Sequence, residues 1–591
     1  MRKTYILSLI SAVGALVWSC DLNEVPKDAI SPDTFFHSES ELELYTNQFY
    51  LMEPGGEDLY NEPSNMIITG NTPSALILGV TRQVPASGGE WEWENLRHIN
   101  YYLQNSGKCS DESARNHYDG VAYFWRAWFY FDKLKRFGDV PIYDNTIDAA
   151  DKEALRKPRD SREMVFDHIL ADLDKAIELL PGTSSVFKVN KYTALALKSR
   201  ACLFEGTFRK YHAGHTFNKG NLPYDKILGE CVSASEELMN SGNYALYKEG
   251  ETPYLTMFRD VEIDAKNKEY IFARIYGGGN FKHLVDAFAL ISSGGAAGFT
   301  KALVASYLMA DGSRFTDNPD WKTVEFREEV ANRDPRLAQT ILTQSGTYAD
   351  GNPAEFDKSC TVTGYPLLKY VNGPVTARAQ SSSNDMPIFR LAEVYLNFAE
   401  AKAELGQLTQ TDLNNSVNLI RDRVKMPYID MAAANATPDP FLTSDEFGYK
   451  NVTGNNKGVI LEIRRERATE MVCEGLRYYD LCRWREGRLL AEPFYGPYVP
   501  GEGSYDMDGN GIVDFVVYKD VKPDIPGVTP YKIGEQIFLS NGDDGFIVAH
   551  KSVLRAFDED RDYLYPIPTN DRVLTKGALT QNPGWDDGLS Y

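Results

Sequence analysis

The sequence contains few cysteines and few histidines, and beyond its first twenty residues it contains no long apolar run. There are 7 Cys and 8 His in 591 residues. No two cysteines form a CxxC pair, and no cysteine stands at metal-ligand spacing from a histidine, so a structural zinc site is not expected. The cysteine density is also far below that of a disulfide-stapled domain, and no internal segment has the length of a membrane span.

Positive charge is the second shortage. Lys and Arg number 62 against 84 Asp and Glu, which gives a formal net charge of −22. Proteins that bind nucleic acid need a surplus of Lys and Arg on some face, so this composition argues against a nucleic-acid partner. The same balance suits neutral or cationic ligands.

The motifs of common enzyme classes are missing as well. The sequence has no HExxH, no GxSxG and no Walker-type loop. A glycosidase needs only two carboxylates at the right separation, and a chain with 84 acidic residues does not exclude one. The motifs therefore leave a glycosidase open as an alternative to a protein that only binds its ligand.

Aromatic residues, in contrast, are abundant and make up 12% of the chain. Sugar rings present a flat apolar face with a rim of hydroxyl groups, and aromatic rings with polar neighbours are suited to bind them. The aromatic surplus is therefore expected to pack a core, to provide a platform for sugars, or both.

The N-terminus has the pattern of an export signal. Arg2 and Lys3 precede an apolar stretch over residues 5–18, and Cys20 follows a small residue. This pattern predicts a signal peptide over residues 1–19, and the placement of Cys20 is typical of a bacterial lipoprotein whose first mature residue carries lipid. The alternative is ordinary secretion, with Cys20 incidental. A lipidated chain would be anchored to a membrane and would not span it.

Helical periodicity dominates the first part of the chain. Apolar residues recur at helical spacing in five segments, 38–51, 91–105, 119–137, 161–180 and 190–203. Helices of this length joined by short turns predict a mainly α fold with a tetratricopeptide-like scaffold of helical hairpins.

Two stretches depart from this pattern. Residues 243–385 and 486–550 are rich in Gly, Asn, Ser, Pro and Tyr, and they predict long irregular, partly β insertions that form the ligand-binding half. We expect a helical region over 20–242, the loop-rich region over 243–385, and a C-terminal region with helices over 386–591 that carries the 486–550 insertion.

Short motifs occur in a characteristic order along almost the whole chain. They are ISPDTFF at 30–36, YFWRAWFYF at 123–131, RFGDVP at 136–141, NRDPRL at 332–337, DMPIFR at 385–390, AEVYL at 392–396, AEA at 399–401, IRDR at 420–423, ER at 466–467, EGLRYYDLCRW at 474–484, YPIP at 565–568 and QNPGW at 581–585. Together they resemble the SusD/RagB family of outer-membrane nutrient-binding lipoproteins.

The resemblance implies a role as well as a fold. Its members are surface-exposed glycan-binding lipoproteins of the Gram-negative outer membrane that deliver oligosaccharide to a SusC-like TonB-dependent transporter. It implies binding without turnover and no required cofactor. The alternative is a lid of the same type that binds a peptide or another nutrient, and the identity of the glycan is not encoded in any of these motifs.

Ligand contacts are expected among aromatic residues outside the helical stripes. Trp91 and Trp93 stand two residues apart beside Asn95, at the start of a predicted helix. The resemblance implies a Trp with a nearby Asn in this part of the chain, which favours Trp91 and Asn95. The alternative is that one or both rings pack in the core, and Trp93 is in phase with the apolar stripe of the helix.

Two further aromatic segments are candidates for ligand binding. Tyr276, Asn280 and Phe281 surround a run of three glycines, and Trp321 lies in a polar loop. The glycine run is not a phosphate loop, because neither the Lys nor the helix start follows at the required spacing. Each of these aromatic residues either contacts ligand or packs against the fold.

One segment has the pattern of a calcium loop. Its oxygen donors are Asp506, Asp508, Asn510, the carbonyl of Ile512 and Asp514. Position 12 of the pattern is Val where a bidentate Glu is usual, so a ligand from elsewhere would be needed. The loop therefore binds calcium or forms an Asp/Asn/Gly hairpin without an ion.

The charged run around residues 464–470 invites a catalytic interpretation but favours a structural one. Arg464, Arg465, Glu466, Arg467 and Glu470 lie on one predicted helix, where salt bridges between packed helices are the simpler explanation. We expect a structural ion-pair network here.

Overall fold

A computed structural model describes residues 34–71, 73–148, 150–183, 185–259, 267–277 and 281–590. Cys20 and the signal segment lie outside the described residues. The N-terminal part is helical, with α1 Glu39–Thr46, α2 Gly56–Tyr60, α3 Ala75–Leu78, α4 Glu94–Asn105, α5 Glu112–Phe137, α6 Arg162–Leu179, α7 Lys191–Tyr211 and α8 Asp225–Met239, and with the short strand β1 Ile67–Ile68.

The middle of the chain has shorter elements separated by longer loops. They are α9 Pro253–Arg259, β2 Tyr270–Arg274, α10 Val285–Leu290, β3 Gly298–Phe299, α11 Lys301–Ser306, α12 Phe326–Glu329 and α13 Pro335–Thr340. The strand β4 Met386–Arg390 then leads into a second helical part, with α14 Leu391–Glu404, α15 Gln410–Asn414, α16 Val417–Arg423, α17 Met431–Ala436, α18 Lys457–Glu470 and α19 Arg477–Arg483. The chain finishes with β5 Phe494–Val499, β6 Gly503–Tyr505, β7 Phe515–Tyr518, β8 Pro530–Lys532, β9 Gly545–Ala549 and α20 Thr569–Leu574.

The strands form small separate sheets. The antiparallel pairs are β1 with β3, β2 with β4 and β5 with β9. In the fourth sheet β7 is central, antiparallel to β6 and parallel to β8. The fold is therefore mainly α with small β elements in the irregular regions, as the sequence predicts.

The long helices pack in sequence, each against the next. Helix α5 packs on α6, α6 on α7 and α7 on α8, and the row continues through α14 to α18. This arrangement is consistent with the predicted stack of helical hairpins. Side-chain caps fix where its members begin, since Ser161 accepts a hydrogen bond from the Met164 N–H and Asn190 accepts from the Tyr192 and Thr193 N–H groups.

A buried ion-pair network ties the irregular middle of the chain to α18. The Glu470 carboxylate contacts the guanidinium groups of Arg336, Arg390 and Arg423, and Arg390 also reaches Glu269 at 2.8 Å. All five side chains are buried. The structural interpretation of the charged run on α18 is confirmed, because its carboxylates are saturated by guanidinium groups.

The six described cysteines are free thiols. Cys473 and Cys482 are both buried and unbridged. Among the described helices, none is both long enough and apolar enough to cross a membrane.

Candidate functional site

A groove of about 980 Å³ opens beside the start of α4. Its walls come from parts of the chain that are far apart in sequence: the end of α1, the segment 91–101, the loop 141–157 and the region of α20. The volume lies in the range of small-molecule sites, and the walls combine aromatic and aliphatic side chains with a few polar groups. This groove is the strongest candidate for a ligand site.

The two tryptophans at the groove have different environments. Trp91 is only 5% exposed, and its ring packs edge-on against Phe137 with ring centroids 4.7 Å apart. Trp93 is half-buried and caps the N-terminus of α4. Its ring meets Trp91, Phe129 and Tyr143 at steep angles, with centroids 5.2, 5.5 and 6.0 Å away. Trp93 is therefore held rigidly while part of its ring faces the groove.

Tyr143 supplies a second aromatic wall. Its ring lies at 84° to that of Trp93, and both rings line the groove. The backbone of Tyr143 is fixed by two long-range hydrogen bonds, because Asn100 Nδ2 donates to its carbonyl at 2.7 Å and its N–H donates to the Tyr130 hydroxyl at 2.7 Å. The two rings therefore form an aromatic corner in the wall of the groove.

Polar groups surround this aromatic corner. Asn145 and Thr146 line the groove, and Gln104 hydrogen-bonds both of them. Lys157 lies 5.7 Å from the Tyr143 ring centroid and donates to the Ile142 carbonyl at 2.6 Å. The rim therefore provides amide, hydroxyl and ammonium groups that are able to hydrogen-bond hydroxyls.

Both signs of charge line the groove. Glu94 and Asp571 carry negative charge and Arg97 and Lys157 carry positive charge, and Lys157 is also paired with Asp160 at 2.7 Å. Burial raises the pKa of Asp571, and the nearby Glu92 charge raises it further. A groove lined by both signs of charge favours a neutral ligand over a polyanion.

The third residue that was predicted with Trp91 and Trp93 lies outside the groove. Asn95 is exposed on α4 and is not among the groove-lining residues. Sequence reasoning did not single out Tyr143. The available signal was its position just after the Gly138–Pro141 helix stop, but its approach to Trp93 depends on hydrogen bonds to distant helices.

Of the second predicted set, Tyr276 and Phe281 do not line the groove. Tyr276 is buried, its hydroxyl accepts a hydrogen bond from the Gly56 N–H at 2.7 Å, and its ring packs on His283. Phe281 is 69% exposed. Asn280 is outside the described residues. Tyr276 thus has a packing role, and Phe281 offers a free ring.

Trp321 belongs to a third aromatic cluster. Its ring packs against Phe441 and Phe447 with centroids 5.8 and 5.9 Å away. Lys301 and Lys322 lie 5.6 and 5.3 Å from the ring centroid. The shallow cavity here has a volume of only about 250 Å³ and shares no lining residue with the groove.

The predicted calcium loop places its acidic residues together. Carboxylate oxygens of Asp506, Asp508 and Asp514 all lie within 4.8 Å of one another. The Asp506 carboxylate accepts N–H hydrogen bonds from Gly509 and Gly511, which winds the loop around it. Burial raises the pKa of Asp514, and the charges of the other two carboxylates raise it further.

The residues of this loop fit a hard divalent cation. Three crowded carboxylates repel one another, and a bound cation would relieve that repulsion. Asn510 Oδ1 accepts from the Ile512 N–H at 2.7 Å, and Val517 is buried in β7, so no carboxylate occupies position 12. Arg327 Nη1 lies 3.7 Å from the Asp506 carboxylate and partly neutralises it.

The models of two protein families match parts of the sequence. Residues 261–585 match the SusD family, and residues 94–203 match a family described as starch-binding associating with outer membrane. Among curated relatives, SusD-like protein P2 of Formosa agariphila is 22% identical over 619 residues, covering 99% of this chain and 100% of the relative. SusD-like protein P38 of the same organism is 23% identical, covering 64% of this chain and 68% of the relative.

Solved structures share the fold over nearly the whole chain. A SusD-like protein from Bacteroides fragilis superimposes with a TM-score of 0.68 at 22% identity, covering 95% of this chain and 100% of that one. A SusD-like carbohydrate binding protein from the same species gives 0.66 at 20% identity, covering 92% and 99%. Since the SusD family profile alone matches more than half of the sequence, this chain belongs to the SusD family.

Proposed function

We propose that the protein binds a neutral oligosaccharide in the groove formed by Trp93 and Tyr143, and that it does so without cleaving it. The observation that carries the proposal is the right-angled corner of two rings beside a rim of amide and hydroxyl groups. Solved relatives include one named as carbohydrate binding, and one matched family is described as starch-binding.

Trp93 is the residue for which we estimate a contribution to the free energy of glycan binding. Its ring is already immobilised by three aromatic neighbours, so ligand binding requires little further ordering of this side chain. Stacking a sugar face on a pre-placed ring removes apolar surface from water, and we expect roughly 2 kcal/mol from it. Trp91 supports the site from beneath because its buried ring holds Trp93.

The cellular setting is part of the same proposal. We infer lipidation at Cys20, display on the outer face of the outer membrane, and delivery of the glycan to a SusC-like TonB-dependent transporter. The supporting observations are the pattern of the first twenty residues and the match of residues 94–203 to a family that associates with the outer membrane.

Calorimetry against a panel of neutral oligosaccharides, with a matched panel of peptides, tests the binding proposal. We expect saturable binding of at least one glycan and none of the peptides. Chromatography of the incubated glycan is expected to show it intact. Tight peptide binding without glycan binding, or turnover abolished by a carboxylate substitution, would contradict the proposal.

We also propose that the loop of Asp506, Asp508, Asn510 and Asp514 binds calcium. When bound, the ion would neutralise the crowded carboxylates and fix the loop between β6 and β7, with the Ile512 carbonyl as an additional oxygen ligand. Without a carboxylate at position 12, affinity is expected in the range of extracellular modules, about 10⁻⁴ to 10⁻³ M.

A further inference from the structure

A second cavity, separate from the Trp93 groove, has a charge pattern that the proposed function does not use. Its volume is about 590 Å³. It lies between the segment 52–63, which includes α2, the helices α5 and α7, and the segment 474–483. We call it the acidic cleft. The size is within the range of ligand sites, and its walls meet only through the tertiary fold.

Every cation that lines the acidic cleft already has an acidic partner. Lys135 Nζ lies 2.7 Å from Asp132, and Arg136 contacts Glu90. The three remaining guanidinium groups are also paired, Arg200 with Glu393 at 2.7 Å, Arg467 with Asp480 at 2.7 Å and Arg483 with Glu400 at 2.5 Å. Among the described residues that line the cleft, none therefore offers an unpaired positive charge to an anion.

The charged side chains of the segment 52–63, which forms one wall of the cleft, are all acidic. No Lys or Arg occurs from residue 38 to residue 81, while Glu53, Glu57 and Asp58 all line the cleft. The half-buried Glu53 carboxylate makes no hydrogen bond or ion pair with a described residue, and Arg274 donates to the Glu53 carbonyl instead. Burial raises the pKa of Glu53 to about 7 against the opposing charge of Arg274.

A neutral hydroxyl in the same cleft is only weakly satisfied. Tyr478 lines the cleft and is only 4% exposed, and its hydroxyl interacts with the Cys482 thiol but has no oxygen or nitrogen partner among the described residues. A thiol is a weak hydrogen-bonding group, so this hydroxyl keeps capacity for an oxygen or nitrogen of a ligand. The rings of Trp128 and Phe131 line the same space, but Lys135 Nζ already lies 4.8 Å from the Phe131 ring centroid, so Trp128 is the ring that could face a ligand cation.

We propose that the acidic cleft is a second ligand site that binds a primary ammonium group, carried by an amino sugar or by a polyamine. The ammonium would pair with Glu53, whose carboxylate has no hydrogen bond or ion pair among the described residues, and Glu57 would add long-range attraction. A protonated amine pairs with a carboxylate through charge-assisted hydrogen bonds, which are stronger than bonds between neutral groups. This inference does not depend on glycan binding at Trp93.

The probes are a β-1,4-linked glucosamine trimer, the same trimer fully N-acetylated, and spermidine, each titrated into the full mature chain by calorimetry. We expect the glucosamine trimer, spermidine or both to bind, and Glu53→Gln to leave any binding of the neutral N-acetylated trimer unchanged. Glu53→Gln should weaken amine binding about tenfold, the typical effect of losing one partly buried charge pair. Trp93→Ala should leave it unchanged.

Glu251→Gln is the matched control, because Glu251 is exposed and lies outside the cleft. Equal weakening by both variants would show only general attraction to an acidic protein and would overturn the proposal, as would failure of every amine probe to bind. If Glu53→Gln does not fold by circular dichroism, Glu57→Gln replaces it, since Glu57 is exposed and lines the same cleft. Which probe binds decides between an amino sugar and a polyamine.

Discussion

Glu470→Gln is the substitution that tests the buried network most sharply. The Glu470 carboxylate accepts from Arg390 at 2.6 Å, from Arg423 at 2.6 and 2.7 Å and from Arg336 at 3.2 Å. All of these side chains are fully buried. Neutralising the carboxylate leaves buried guanidinium charge uncompensated, which costs about 3–5 kcal/mol. That is a large part of the 5–15 kcal/mol by which a folded protein is typically stable.

The assay is thermal unfolding followed by circular dichroism, with Glu462→Gln as the matched control. Glu462 lies on the same helix but is partly exposed, and its nearest guanidinium groups are at 3.5 and 3.7 Å. We expect the control to lose less stability than Glu470→Gln, because its guanidinium contacts are longer and Arg421 and Arg465 keep Glu466 and Asp439 as partners. Equal losses for the two variants would refute the view that this network holds the middle of the chain to α18.

The pH dependence of stability provides a second test of the same network. Burial alone would raise the pKa of Glu470, but the Arg423, Arg390 and Arg336 charges hold it well below its ordinary range. A group whose folded pKa is depressed contributes stability above its unfolded pKa and loses that contribution as the pH falls towards the folded value. The advantage of the wild type over Glu470→Gln should therefore be constant above about pH 5 and shrink below about pH 4.

Two further predictions concern packing and calcium. Gly206→Ala in α7 would place a Cβ 2.6 Å from Leu228 Cδ2 and should destabilise the protein by about 1–3 kcal/mol. The control Gly229→Ala in α8 meets nothing within 4 Å and should be neutral or stabilising by up to about 1 kcal/mol. Equal melting temperatures for the two variants would contradict this packing. Calcium at 10 mM should stabilise the wild type by about 1.4–2.7 kcal/mol and not Asp508→Asn, with the exposed Asp524→Asn behaving as wild type. The same stabilisation in Asp508→Asn would place the ion elsewhere.

The helices were predictable because their signals are local. The apolar stripe of α6 and the caps Ser161 and Asn190 lie within a few residues of the positions they determine. The start of α4 shows the limit of such reasoning. Its periodicity put Trp93 in phase with the core, and the ring does pack against the core in part, but the helix begins at Glu94, so Trp93 stands before the first turn and Trp91 is the more buried ring.

The walls of the two cavities depend on contacts that no local pattern records. Tyr143 reaches Trp93 because Asn100 and Tyr130, both on other elements, hold its backbone. The acid-only run that includes Glu53 is visible in the sequence, but the paired cations facing it come from helices far along the chain. Composition therefore predicted the kinds of side chains at the sites, and only the tertiary fold determined which of them meet.

The central claim is that Trp93 forms the platform for a neutral glycan, and one calorimetric comparison tests it most directly. Wild type, Trp93→Ala and Trp321→Ala are titrated with the best-binding oligosaccharide, each after its fold is checked by circular dichroism. Losing roughly 2 kcal/mol of stacking predicts about thirtyfold weaker binding for Trp93→Ala and less than about twofold change for Trp321→Ala. Unchanged affinity in Trp93→Ala, or a loss confined to Trp321→Ala, would contradict the account.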